Sequence, residues 1–125
     1  MSQFNDSGLK AFEASAAIAQ YARVTVAADG TIAQSAANEK GIGVARVAAF
    51  AAGEVITVKL WSKSGTMKML AGAAITSGAA VNGIADGKID DSGAVGSYDV
   101  GIALEAATAD GDVIEVLAVP EGTAN

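Results

Sequence analysis

Cysteine and histidine are both absent from this chain of 125 residues. Without cysteine there is no disulfide, no zinc–thiolate site and no thiolate nucleophile. Without histidine the usual transition-metal ligand and the commonest general base near neutral pH are missing, so a serine nucleophile would lack its customary partner. Aromatic residues are scarce, six in all, and proline occurs once. No apolar run approaches the roughly 20 residues that span a bilayer, so no membrane partner is expected. Eight basic residues face 14 acidic ones, a net charge of −6. Nucleic-acid affinity comes mainly from Lys and Arg contacts to phosphate, so no nucleic-acid partner is expected either. The start, MSQFNDSGLK, carries neither the basic head nor the apolar stretch of a signal peptide, and points to synthesis in a cytoplasm.

What fills the chain instead is small. It contains 29 Ala and 15 Gly. Apolar burial contributes about 25 cal/mol per Å² of area, so an Ala-rich interior gains little per residue. A core this thin is expected to draw part of its stability from a partner or from self-association.

The sequence also reads twice. At an offset of 57, Ala16-Ala17-Ile18 recurs as Ala73-Ala74-Ile75, Val24 as Val81, and Ala28-Asp29-Gly30 as Ala85-Asp86-Gly87. Nine of the 17 pairs from residues 16–32 are identical. After one inserted residue the offset becomes 58. Gly43-Val44-Ala45 then matches Gly101-Ile102-Ala103, and Glu54-Val55-Ile56-Thr57-Val58 matches Asp112-Val113-Ile114-Glu115-Val116. Nine of the 17 pairs from 42–58 are identical. We read a tandem duplication, 9–62 and 66–119, with an N-terminal arm at 1–8 and a C-terminal tail at 120–125.

Each copy has the period of strands. Val55–Leu60 puts Ile56, Val58 and Leu60 on one face and Thr57 and Lys59 on the other. Asp29-Gly30 and Asp86-Gly87 are strong hairpin signals, and Ser64-Gly65 suggests another hairpin between Leu60-Trp61 and Met67–Met69. Alanine favours helix, and 10–20 and 44–52 have room for a helical turn or two. Gly and β-branched residues are too frequent elsewhere for a long amphipathic helix. The expected fold is all-β: a single compact β-sandwich or barrel-like domain of two related halves, with little helix.

ADGKIDDSG, residues 85–93, is the densest cluster of potential ligands. Counted from Asp86 as a calcium loop, it has Lys88 third, Asp91 sixth and Ser97 twelfth, where the pattern needs an oxygen ligand, Gly and Glu. In the first copy the same place reads ADGTIAQS, which keeps the turn and drops the extra acids. Asp90, Asp91, Asp99 and Glu105 are the only acids worth nominating for a carboxylate pair, and solvated carboxylates are the plainer reading. No GxxxxGK[ST] or GxGxxG element is present, and no catalytic, metal or cofactor residue is expected. Trp61 ends an alternating strand and is either an interface anchor or a core aromatic. Phe4, Leu9 and Phe12 place apolar side chains in a polar leading segment. With Trp61 they are the candidate interface residues.

Taken together, several segments carry a family resemblance: Phe12–Ile18, Arg23-Val24-Thr25-Val26 with its Asp-Gly turn, Gly41–Ala45, and Val55–Trp61. Val100–Leu104 and Asp112–Val116 repeat the second part of that set. The chain resembles, over about 9–119, the small capsid decoration or cement proteins of tailed bacteriophages. The resemblance implies a non-enzymatic virion protein, made in the host cytoplasm and bound to the outer surface of the assembled capsid. Its partners would be the major capsid protein and itself, as a homotrimer at local threefold positions or, in the variant, a homodimer. It carries over no functional residue, because the family has no catalytic motif. Two other classes stay open: a carbohydrate- or surface-binding β module of a fibre or adhesin, and a small hydrolase using Asp90 or Asp91.

Overall fold

The computed structural model describes residues 7–63, 65–119 and 125. Among the described residues there are ten strands: β1 Leu9–Glu13, β2 Arg23–Val26, β3 Ile32–Gln34, β4 Gly43–Ala45, β5 Val55–Leu60, β6 Met67–Leu70, β7 Ala80–Gly83, β8 Ile89–Asp90, β9 Asp99–Ala103 and β10 Val113–Ala118. They form two five-stranded antiparallel sheets, ordered β1-β5-β4-β2-β3 and β6-β10-β9-β7-β8, and together these make an all-β sandwich. The second order is the first with five added to each strand.

Alternation within the longest strands sets the inward faces. In β5, Ile56 and Val58 are buried while Thr57 and Lys59 turn the other way; in β10, Ile114 and Val116 are buried and Glu115 is exposed. A single parallel bridge ties the two ends of each sheet, Ala14 to Ile32 in the first and Ala71 to Ile89 in the second. Each sheet therefore curls over its own cluster. The first cluster holds Ile18, Val24, Ile32, Ile56 and Val58 with Ala14, Ala22, Ala45 and Ala49. The second holds Met67, Met69, Val81, Ile89, Ile114 and Val116 with Ala71, Ala103 and Ala107. Small residues let the curled strands approach closely, at the cost of little apolar area each.

The halves join where the outer face of β4 meets the second cluster. Val44 is buried in that cluster, and Tyr21 and Trp61 pack against it. Main-chain bonds cross the junction: Leu70 N–H donates to the Tyr21 carbonyl at 3.2 Å and Gly87 N–H to that of Ser35 at 2.8 Å. Arg23 is fully buried there, and its guanidinium donates to the Ile84, Ala36 and Glu39 carbonyls at 3.3, 3.4 and 3.5 Å. Gly87 sits at φ +70°, and a Cβ at that position would lie 2.6 Å from the Arg23 carbonyl oxygen. Glycine is needed twice over, for the backbone angle and for the close approach.

Two sequence expectations need correction. Leu60-Trp61 and Met67–Met69 are not the arms of a hairpin, because β5 and β6 belong to different sheets and do not pair. Ser64 lies outside the described residues; Gly65, at φ +94°, stands between β5 of one sheet and β6 of the other. The segments with helix-forming composition, 10–20 and 44–52, form β1, β4 and the turns beyond them. Among the described residues there is no α-helix, only a short 3₁₀ turn at Ala85–Gly87.

Candidate functional site

The four candidate interface residues are not brought together. Phe4 lies outside the described residues, as do most of the N-terminal arm and the C-terminal tail. Leu9 pairs across from Lys59 and lines a groove between the sheets. Phe12 faces the opposite side of β1, half-buried against the first cluster with the Lys10 ammonium 5.8 Å from its ring centre. Trp61 is half-buried against the second cluster, and its Nε1–H donates to the Gly41 carbonyl at 2.7 Å.

The groove that Leu9 lines is open, has a volume of about 890 Å³, and is walled by β1, β4 and β5 on one side and β6 and β10 on the other. Arg46, Lys59, Lys63 and Lys68 line it, half of the chain's eight basic residues. The carboxylates there, Glu105 and Glu115, are engaged within the chain: Glu105 accepts the Glu115 N–H at 2.7 Å, and Glu115 accepts the Thr66 hydroxyl at 2.6 Å. Among the described residues none of the four cations forms an ion pair. Lys59 donates to the Thr66 carbonyl. Burial, and then the like charges of Lys63 and Arg46, hold its ammonium below the ordinary lysine pKa. Lys68 lies over the Tyr21 ring, 5.7 Å from its centre. An acidic protein thus gathers four cations and two carboxylates along one groove, a locally basic surface.

Next along the chain from Arg46 is a turn presenting an aromatic. Phe50 is 84 % exposed and Val47 47 %. The Glu54 carboxylate accepts the Phe50 and Ala51 N–H groups at 2.6 and 2.5 Å, clamping the turn, and Gly53 N–H donates to the Ala14 carbonyl. The second sheet builds the corresponding turn with Asp112, which accepts the Thr108 N–H at 2.8 Å, its hydroxyl at 2.9 Å and the Ala109 N–H at 3.2 Å. Those bonds hold the Asp112 carboxyl below the usual Asp value, the Thr108 N–H first among them. There Thr108 and Glu105 stand where the first turn has Phe50 and Val47.

Further exposed apolar residues are Ile102 on β9 and Leu117 on β10, with Leu104 and Val119 just beyond those strands. The ADGKIDDSG carboxylates serve local structure. Asp90 accepts the Ser92 N–H and hydroxyl at 3.1 and 2.8 Å, and Asp91 accepts the Thr76 N–H at 3.2 Å. Asp29 does the same for Thr31 in the first half, at 3.0 Å from the N–H and 2.7 Å from the hydroxyl. Among the described residues no group of three or more His, Cys, Asp or Glu converges to hold a metal.

Sequence reasoning singled out neither the groove nor Phe50. The groove cations are scattered over 46–68 and vanish in a net charge of −6. Phe50 had a signal: at offset 58 it matches Thr108, a polar residue, in an Ala-Ala-x-Ala-x-Gly frame that both copies share.

No protein-family model and no curated protein sequence matches this chain. Among solved structures it is similar to the N base of head fiber gp8.5 of bacteriophage phi29, with a TM-score of 0.73 and 18% sequence identity. The likeness covers 94% of this chain and 98% of that one. At that identity it shows a shared fold.

Proposed function

We propose that this chain is a non-enzymatic structural protein of a bacteriophage head. It binds the outer surface of the assembled capsid and cements neighbouring major capsid subunits. The observation that carries the reading is the fold shared, over nearly the full length of both chains, with the base of a phage head fiber. The basic groove and the exposed Phe50 offer charge and apolar area to a protein surface, which fits binding. A ligand that binds only the mature lattice stabilises it by mass action, and many copies on one shell add through multivalency. Self-association, as a trimer at local threefold positions or otherwise a dimer, belongs to the same proposal. So does the origin of the two sheets in a duplicated unit, 9–62 and 66–119, which their matching strand orders support.

Cryo-EM of heads carrying and lacking the protein tests this. The expected result is added density over the joints between capsid subunits, and heads that survive heating or osmotic shock better when it is bound. Absence of density, with no co-sedimentation of protein and heads, overturns the reading.

A further inference from the structure

We infer that the Phe50 turn is the anchor that seats the protein on its partner, an inference that rests on the capsid reading and names the contacting end. Scattered exposed apolar residues need no explanation, but this one has an internal control. Both sheets carry the same turn with the same carboxylate clamp, and the second does so with Thr108 and Glu105. Folding of the turn therefore requires neither Phe50 nor Val47.

The surroundings are consistent with docking. Ile18 and Ala49 exchange main-chain bonds of 2.8 and 2.9 Å, which brings 14–20 beside 47–53, and neither segment contains a charged residue. Ala16, Ala17, Ala51 and Ala52 in these two segments are exposed, small side chains that let a partner approach closely. Because Glu54 already fixes the turn, little conformational entropy remains to be lost on binding.

Charge indicates the partner's chemistry. Residues 9–62 hold five basic and four acidic residues, +1, whereas 66–119 hold two basic and eight acidic, −6. An acidic surface would repel the second half and accept the first. Arg46, one residue from Val47, leads into the groove of cations. The occupant that fits is a protein surface with an apolar pocket for the Phe50 ring and an acidic rim that meets Arg46 and the groove.

The test is a binding titration of the full chain on mature heads of the phage that encodes it, stripped of the protein. The variants are Phe50→Thr, Phe50→Ala, Phe50→Tyr, Thr108→Phe and Arg46→Glu, with thermal melts run alongside. Phe50→Thr, which copies the second turn, is expected to melt like the wild type and bind at least about tenfold more weakly. Phe50→Tyr keeps the binding, and Thr108→Phe gains none. Arg46→Glu slows association and flattens its salt dependence. Wild-type affinity for both Phe50→Thr and Phe50→Ala overturns this inference and leaves the capsid reading standing. A wild type that does not bind the heads overturns the capsid reading itself.

Discussion

The two halves share strand order, bridged sheet ends and clamped turns, yet they meet their surroundings differently. On the first sheet the outer positions Val44 and Trp61 are covered by the second half; their counterparts on the second sheet, Ile102 and Val119, are exposed. On the inner side, Met67 and Met69 are fully buried, whereas Lys10 and Phe12 at the matching places in β1 are only half-buried. The comparison separates what the fold demands from what a position's neighbours demand. Residues alike in both halves serve the buried clusters, the turns and the close approaches. Residues that differ mark the junction, the groove and the presented aromatic.

The sharpest way to break the comparison is at a position both halves need. A Cβ at Gly43 would lie 2.2 Å from the Lys59 carbonyl oxygen, and one at Gly101 2.2 Å from that of Leu117. Gly43→Ala and Gly101→Ala should each cost about 3 kcal/mol in urea unfolding. A single transition that moves as a whole in both variants would show the halves to be one cooperative unit; two separated transitions would show that they are not. Next in size is the junction. Val44→Ala should cost about 2 kcal/mol by opening a cavity, while Ile102→Ala at the matching exposed place costs under about 1 kcal/mol. Arg23→Met should cost about 2 kcal/mol, because the Ile84, Ala36 and Glu39 carbonyls lose a charged donor. Equal costs at Val44 and Ile102 would remove the distinction between covered and open faces.

Acid should act on both halves through their turns. Hydrogen bonds from Thr31 lower the pKa of Asp29, chiefly that from its hydroxyl, and those from Thr108 and Ala109 lower that of Asp112. A carboxylate depressed on folding stabilises above the unfolded Asp value of about 3.9 and loses that contribution as pH falls through its folded value. Asp29→Asn and Asp112→Asn should each flatten the acid limb of a melting-temperature profile. NMR titration placing either group at or above the ordinary Asp value would refute the assignment. The smallest effect is expected at Lys88, whose 2.8 Å ion pair with Asp110 has no counterpart in the first half. The pair raises the Lys88 pKa, so its contribution is present below the ordinary lysine value and is lost as pH climbs through the folded one. Asp110 is exposed and Lys88 only half-buried, so the pair is screened and Lys88→Ala should leave the melting temperature at physiological salt unchanged within error.

Much of the fold was legible because it rests on local rules. The alternation of Val55–Leu60 specified β5 and its buried face, and the Asp-Gly turns marked the β2–β3 and β7–β8 reversals. The partner of β6 was not legible, since Ser64-Gly65 carries the same turn chemistry whether the next strand folds back or starts a new sheet. The role of Trp61 was undecidable for a related reason: its packing depends on the second cluster, supplied by residues far along the chain. The basic groove is likewise assembled by the docking of two sheets, and its lining runs from Leu9 to Glu115.

The bridges Ala14–Ile32 and Ala71–Ile89 have one more consequence. An open sheet edge is a template on which a neighbouring chain can add a strand. Here the outermost strands of each sheet are tied back to one another, which leaves short edges for such growth. Copies of this chain at high concentration therefore find little open strand edge on which to add to one another.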